Sequence, residues 1–160
     1  MKNTTRRDFL KTSAIGSGFF VLPSGLLSKS PNSRICSAHI GTGGKGRVDL
    51  NGIAKHERVQ VLGLCDVDRA RGQADANLKR FASAKFFQDY REMLAQLGDK
   101  VDVVSISTPD HTHYPATMAA MELGKHVYTQ KPLTHKLAEA RELAEFAAEK
   151  NLTTQMGTQN

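Results

Sequence analysis

The chain has 160 residues, of which 39% are hydrophobic and 24% are charged, the usage of one ordinary globular domain. This composition excludes a disordered chain, a collagen and a coiled coil. The net charge of +6 does not indicate a nucleic-acid-binding surface, because residues 1–30 carry +4 of it and the rest of the chain is nearly neutral.

Residues 1–30 are predicted to be an export signal rather than part of a fold. Arg6 and Arg7 are followed by Asp-Phe-Leu-Lys, and a weakly apolar stretch over residues 14–22 ends at Pro23. This order is typical of secretory signals, and the paired arginines resemble those of a twin-arginine signal, which is read by a receptor. We therefore expect a periplasmic or otherwise exported protein. No stable membrane anchor is expected, since no run approaches the ~18 uncharged apolar residues that span a bilayer.

From residue 34 onward, short apolar runs alternate with helical patterns. The runs lack strict apolar–polar alternation, as expected of parallel strands that are buried on both faces. Their alternation with helices predicts an α/β fold with a doubly wound parallel sheet over residues 34–160. The predicted strands are 35–40, 59–64, 85–87, 101–106, 126–129 and 152–156, and the predicted helices are 47–55, 70–81, 89–96, 114–123 and 136–150.

A glycine-rich turn joins the first predicted strand to the first helix. It has the G-x-G-x-x-G pattern, in which the glycines allow a tight turn, the close approach of a pyrophosphate and helix–strand packing. The free N–H groups of the following helix would point at the phosphates. The context therefore predicts a Rossmann-type domain that binds a dinucleotide. The residues of the turn are Gly41, Thr42, Gly43, Gly44, Lys45 and Gly46.

Asp66 follows the second predicted strand, 20 residues beyond Gly46. A carboxylate at this position accepts hydrogen bonds from the adenosine ribose and repels a 2′-phosphate. NAD is therefore the predicted cofactor, and NADP is disfavoured. Arg69 and Arg71 lie close by in the sequence and would weaken that preference, and Arg69 is counted among the candidate cofactor-binding residues.

Two further groups follow predicted strands at the same edge. Thr108, Pro109, His111 and His113 follow the strand 101–106 and are predicted to form a wall of the nicotinamide pocket. A metal site at the His-x-His pattern is disfavoured, because no second Cys, His or Asp cluster is available to complete a coordination shell. No metal is therefore predicted.

Lys131 follows the strand 126–129 and would project near the reactive ring of the cofactor. An ammonium group there can donate a hydrogen bond to a substrate hydroxyl and stabilise the charge that forms as the hydroxyl loses its proton. A lysine that is merely solvated, before a proline that ends the strand, is the alternative interpretation.

Cys36 and Cys65 lie in neighbouring predicted strands, one near the start of its strand and the other near the end. Export would permit a disulfide, but the two strand ends are expected to be too far apart for the Cα separation that a disulfide requires. The sequence therefore predicts two buried free thiols.

Together these motifs resemble those of the Gfo/Idh/MocA family, the glucose–fructose oxidoreductase and inositol dehydrogenase-like enzymes. The segments 40–46, 65–68, 108–113, 124–127 and 131–134 keep the family's order and spacing. The resemblance implies hydride transfer between NAD(P) and a sugar, a polyol or a related carbonyl, with Lys131 in the catalytic site. It also implies that Gln130 borders the cofactor, that the Lys131–Pro132 peptide is cis, and that the full-length protein is a homo-oligomer.

The sequence departs from the family pattern in two ways. Gln130 stands where family members usually have glutamate, and a neutral amide does not stabilise the neighbouring ammonium as a carboxylate does. The chain also ends at Asn160, whereas family members continue into a second α/β domain with most of the sugar pocket and a catalytic His or Asp. We therefore expect an N-terminal fragment. A sugar oxidoreductase, an NAD-dependent glycosidase that works by oxidation, elimination and reduction, and a non-catalytic dinucleotide-binding fragment all stay open.

Overall fold

Six parallel strands form one sheet in the order β3-β2-β1-β4-β5-β6. The computed structural model describes residues 34–158, so the predicted export signal lies outside the described residues. The strand order reverses between β1 and β4, which confirms the predicted doubly wound α/β fold of the Rossmann type. The strands are β1 (Ile35–Ile40), β2 (Val59–Cys65), β3 (Lys85–Phe87), β4 (Val103–Ile106), β5 (His126–Thr129) and β6 (Thr154–Met156).

Five α-helices connect the strands of the described part. They are α1 (Gly44–Ile53), α2 (Ala74–Arg80), α3 (Tyr90–Leu97), α4 (His113–Glu122) and α5 (Leu137–Glu149). Short 3₁₀ turns occupy Gly98–Lys100 and Asp110–Thr112. No helix within residues 34–158 is long and apolar enough to cross a bilayer.

The central strands are buried because helices cover both faces of the sheet. Ala38, Ile40, Val104 and Ile106 are at most 3% exposed, and they form one core with apolar side chains of α3, α4 and α5. The residues that alternate with them, Ser37, His39 and Ser105, are polar but equally buried, so both faces of β1 and β4 are covered. The core fixes the carboxyl ends of β1 and β4 side by side at the point where the strand order reverses.

Among the boundaries that differ from the predicted ones, three have clear local reasons. β4 begins two residues late because the Val101 N–H donates to the Leu97 carbonyl and completes the preceding turn. β6 also begins two residues late, since the Leu152 N–H bonds back to Ala147 at the end of α5. α2 begins at Ala74 rather than at residue 70, because Gln73 has a left-handed backbone with φ of 50°.

Both cysteines are free, and they lie at opposite ends of the β1–β2 pair as predicted. Cys36 is in register with Gln60, whereas Cys65 is in register with Ile40. Burial raises the pKa of the Cys65 thiol to about 12, and the nearby Asp66 carboxylate acts in the same direction. The prediction of two buried thiols is wrong for Cys36, which is only half-buried. Cys36 is the second residue of β1 and lies near the exposed end of that strand.

Candidate functional site

A cleft of about 600 Å³ opens where β1, β2 and β4 end. This is the position at which doubly wound sheets bind ligands, because the helices that follow the two central strands diverge there. The cleft also includes Gln88–Arg91 after β3, which the sequence pattern did not single out. The predicted cofactor residues that line it are Gly41, Gly43, Gly44, Asp66, Thr108, Pro109 and His111.

The other predicted residues do not line the cleft. Gly46 and Thr42 support the glycine turn, and His113 and Gln130 are buried behind the strand ends. These placements leave their roles toward a cofactor as predictions. The residues outside the lining are Thr42, Lys45, Gly46, Arg69, His113, Gln130 and Lys131.

Backbone packs directly on backbone in the glycine turn. Gly41 has φ of +80°, a conformation that favours glycine, and a Cβ atom there would lie 2.5 Å from the Ser107 carbonyl oxygen. A Cβ atom on Gly46 would lie 2.0 Å from the Gly41 carbonyl oxygen. α1 therefore starts tight against the end of β1, at Gly44, which is three residues earlier than predicted.

The N-terminus of α1 suits an anion. Its N-cap, Gly43, has no side chain to accept a hydrogen bond, and the first turn carries no acidic residue. The unpaired N–H groups and the positive end of the helix dipole both favour a phosphate at such a terminus. These features fit a dinucleotide whose pyrophosphate lies against the turn.

Asp66 holds the glycine turn in place. Its Oδ2 accepts hydrogen bonds from the N–H groups of Thr42 and Gly43 at 3.0 and 3.1 Å. The Thr42 hydroxyl donates to the Gly72 carbonyl oxygen at 2.9 Å, which ties the turn to the segment after β2. Asp66 therefore organises the turn in addition to lining the cleft, and its contact with a ribose stays a prediction.

The two arginines after β2 have different surroundings. Arg69 pairs with Asp75 at 2.6 Å and lies over the Phe86 ring, outside the cleft. Arg71 lines the cleft, and its side chain is 88% exposed. Of the two arginines, Arg71 lines the cleft and Arg69 does not.

His113 joins the ends of β4 and β5. It is 1% exposed, its Nδ1 lies 2.7 Å from the Pro132 carbonyl oxygen, and its Nε2 lies 2.8 Å from that of Thr108. The ring is therefore engaged by backbone on both sides rather than directed into the cleft. The Thr112 hydroxyl donates to Thr108 Oγ1 at 2.7 Å and further fixes this loop.

A second link between the same loops is a hydrogen bond between two side chains that the sequence did not suggest. His135 Nε2 lies 2.9 Å from an Asp110 carboxylate oxygen, and this hydrogen bond lowers the pKa of the Asp110 carboxyl. His111 is exposed and lies 4.0 Å from the same carboxylate. No group of three or more metal-ligating side chains is placed to hold an ion within residues 34–158.

Gln130 is buried and Lys131 is exposed where the chain leaves β5. The Lys131–Pro132 peptide is cis, as the family resemblance implied. The Gln130 side chain is 5% exposed, and its Nε2 donates to Asp49 at 2.6 Å. Lys131 is exposed, and no hydrogen bond or ion pair to its ammonium group is found among the described residues.

Comparison with known proteins agrees with the Rossmann-type fold. Residues 36–158 match the oxidoreductase family with an NAD-binding Rossmann fold, Gfo/Idh/MocA. The chain belongs to the Gfo/Idh/MocA family.

Relatives within the Gfo/Idh/MocA family include a glycosyl hydrolase family 109 protein from Solibacter usitatus. It is 32% identical over 163 residues, which cover 89% of this chain and 36% of the relative. D-glucoside 3-dehydrogenase from Escherichia coli is 34% identical over 89 residues, 56% of this chain and 24% of the relative. The structure of GenD2 from gentamicin A biosynthesis, in complex with NAD, superposes with a TM-score of 0.70 at 30% identity, covering 78% of this chain and 34% of GenD2. The chain thus spans about a third of the length of the first relatives that it matches.

Asp49 is the residue of this Gfo/Idh/MocA domain that sequence reasoning missed. It is 8% exposed and accepts hydrogen bonds from Ser107 and Gln130, and it pairs with Lys45 at 3.0 Å. Lys45 therefore points along α1 instead of lining the cleft. The available signal was an acidic residue three positions after Gly46, on the side of α1 that packs against the sheet.

Proposed function

We propose that this chain is the cofactor-binding part of an NAD-dependent oxidoreductase that acts on a sugar, a polyol or a related carbonyl by hydride transfer. The observation that carries the proposal is the cleft itself. The uncapped start of α1, the Asp66 carboxylate and the Thr108–Pro109 loop border one cleft at the carboxyl edge of the sheet. Lys131 follows β5 at the same edge. Nicotinamide enzymes need this combination of anion, ribose and reacting-centre contacts.

Each group then has a defined task. The N–H groups at the start of α1 bind the pyrophosphate, and Asp66 accepts from the ribose hydroxyls. Thr108 and Pro109 form the wall against which the nicotinamide lies. The cofactor supplies a two-electron acceptor, while the Lys131 ammonium donates to the substrate hydroxyl and stabilises the oxygen charge as the proton leaves.

An NAD-dependent glycosidase is the second candidate. The relative from Solibacter usitatus, which carries a glycosyl hydrolase name, aligns with 89% of this chain. In such an enzyme the same cleft would retain NAD through oxidation, elimination and reduction, so that no net NADH forms.

Product analysis of the complete protein tests the two candidates. Incubation with NAD and a panel of free sugars and glycosides is followed by absorbance at the NADH band and by chromatography of the products. A keto-sugar with accumulating NADH supports the oxidoreductase, and a released sugar without net NADH supports the glycosidase. Binding of NAD with no turnover on any member of the panel would favour a non-catalytic dinucleotide-binding protein.

We expect D66A to weaken the discrimination between NAD and NADP. Removal of the carboxylate deletes a ribose acceptor and the repulsion of a 2′-phosphate, while Arg71 still lines the cleft. A charge-assisted hydrogen bond contributes ~1.5–3 kcal/mol, so the affinity ratio should fall about tenfold or more. Calorimetric titration of both cofactors measures it.

D75A is the matched control for D66A, because Asp75 is an exposed carboxylate of α2 that pairs with Arg69 outside the cleft. Its NAD-to-NADP ratio should equal that of the parent protein. A ratio in D66A that is also unchanged would contradict the ribose role of Asp66.

We also propose that the protein is exported by the twin-arginine route, on the strength of Arg6 and Arg7. Conversion of both to lysine (R6K/R7K) keeps the charge but removes the pair that the receptor reads, so we expect the protein to stay in the cytoplasm. Cell fractionation and immunoblotting measure the distribution. The variant K2Q, which changes a nearby base and leaves the pair intact, should still be exported; equal export of R6K/R7K would refute the route.

A further inference from the structure

One buried carboxylate connects three segments of the site. Asp49 lies on α1, and its Oδ1 is 3.0 Å from Lys45 Nζ. Its Oδ2 accepts from the Ser107 hydroxyl after β4 at 2.8 Å and from Gln130 Nε2 after β5 at 2.6 Å. The helix that carries the glycine turn is thereby joined to the ends of both strands on the nicotinamide side of the sheet.

The contact continues through Gln130 to the backbone of Lys131. The Gln130 NH₂ group donates to Asp49 and to the Tyr128 hydroxyl, the latter at 3.2 Å. Its Oε1 accepts from the Lys131 N–H at 3.3 Å. Because the two ends of an amide are not interchangeable, Asp49 determines which end faces Lys131.

The titratable groups around Asp49 supply one positive charge, which balances one carboxylate. Lys45 is the cation that faces it. Burial lowers the pKa of His39, on β1, to about 4 despite the opposing effect of Asp49, so this ring is neutral. Burial and Asp49 both raise the pKa of Tyr128, so the phenol is neutral as well. Ser107 contributes a hydroxyl without charge.

We propose that Asp49 is a positioning residue, which sets the Gln130 amide and through it the backbone at Lys131, and that its carboxylate requires an amide at position 130. The importance of this position for catalysis rests on the proposed role of Lys131. The requirement for an amide does not, because it follows from the buried contact alone. A carboxylate in place of the amide would lie against Asp49 at hydrogen-bond distance, and the two could coexist only by sharing a proton.

The test compares Q130E, D49N and the exchange variant D49N/Q130E in the complete protein. In folded Q130E the carboxyl pair holds a proton that the unfolded chain releases above about pH 4. Its stability is therefore present at acid pH and is lost as the pH rises. We expect its unfolding midpoint to fall by about 5 °C or more, relative to the parent, between pH 5 and pH 8.

The exchange variant should reverse this loss. D49N/Q130E again places one amide against one carboxylate, so its midpoint should follow the pH profile of the parent protein. Q96E is the matched control for adding a carboxylate, since Gln96 is exposed on α3. A pH profile of Q130E that equals that of Q96E, or no recovery in the exchange variant, would overturn the pairing.

Steady-state kinetics distinguish a positioning role of Asp49 from a purely structural contact. We expect D49N to lower kcat about tenfold or more, with the KM for NAD little changed, and the exchange variant to recover kcat. A parental kcat in D49N overturns the positioning role, even where the stability profiles hold. The stability measurements need no substrate, so failure of the proposed function is distinguishable from failure of the pairing.

Discussion

G46A is expected to lose both stability and NAD binding. A Cβ atom at this position would lie 2.0 Å from the Gly41 carbonyl oxygen and 2.7 Å from its carbon, and both neighbours are backbone atoms that cannot rotate away. Relief would require α1 to shift from β1, which moves the helix start that binds the pyrophosphate in the proposed function. Overpacking of this kind costs about 3 kcal/mol in the free energy of unfolding. Thermal unfolding and NAD titration measure the two effects.

G52A provides a control within the same helix. A Cβ atom on Gly52 would meet no atom within 4 Å, and its φ is not in the left-handed region. Alanine is favoured over glycine in a helix by ~0.5–1 kcal/mol, so G52A should be slightly more stable than the parent protein and bind NAD equally well. Equal midpoints and affinities for G46A and G52A would show that the turn tolerates the added atom.

Most strands of the sheet are predictable from the sequence, because strands that are buried on both faces appear as short runs rich in apolar residues. The apolar runs predict β1, β3 and β5 at the bounds that the structure shows. The late starts of β4 and β6 depend on single hydrogen bonds that close the preceding turn or helix. Such bonds leave no signal in hydropathy, so the predicted strands extend too far at those ends.

The site is predictable only where its residues follow a motif. The glycine turn and Asp66 come together as their spacing predicts, since the carboxyl ends of parallel strands meet at one edge. Asp49 and Gln130 are 81 residues apart, and nothing in either local pattern shows that they touch. The same holds for His113, whose two ring contacts depend on how the loops after β4 and β5 pack.

The packing of Gln130 also changes what is expected of its neighbour. Since the amide is turned inward onto Asp49, it does not offer its side chain to the Lys131 ammonium. The ammonium is exposed beside the strand end, where the proposed function places the substrate hydroxyl. The effect of Lys131 on turnover should therefore be separable from cofactor binding.

K131M is the variant that tests this separation. Methionine keeps the length and the apolar stem of lysine but removes the donor, so the substrate hydroxyl loses its hydrogen-bond partner as charge develops on the oxygen. We expect kcat of the complete enzyme to fall ~10²–10⁴-fold, the range for loss of a general acid–base group. The dissociation constant for NAD should change by no more than about twofold, since the proposed pyrophosphate and ribose contacts lie in the cleft, which Lys131 does not line.

K79M serves as the control, because Lys79 is an exposed lysine on α2 that does not line the cleft. It should retain the kcat of the parent protein. Steady-state kinetics under saturating NAD, with cofactor binding followed by fluorescence, give both quantities for each variant. A K131M enzyme as active as K79M would mean that Lys131 is a solvated side chain, and the group that assists proton movement would then have to be sought elsewhere in the complete protein.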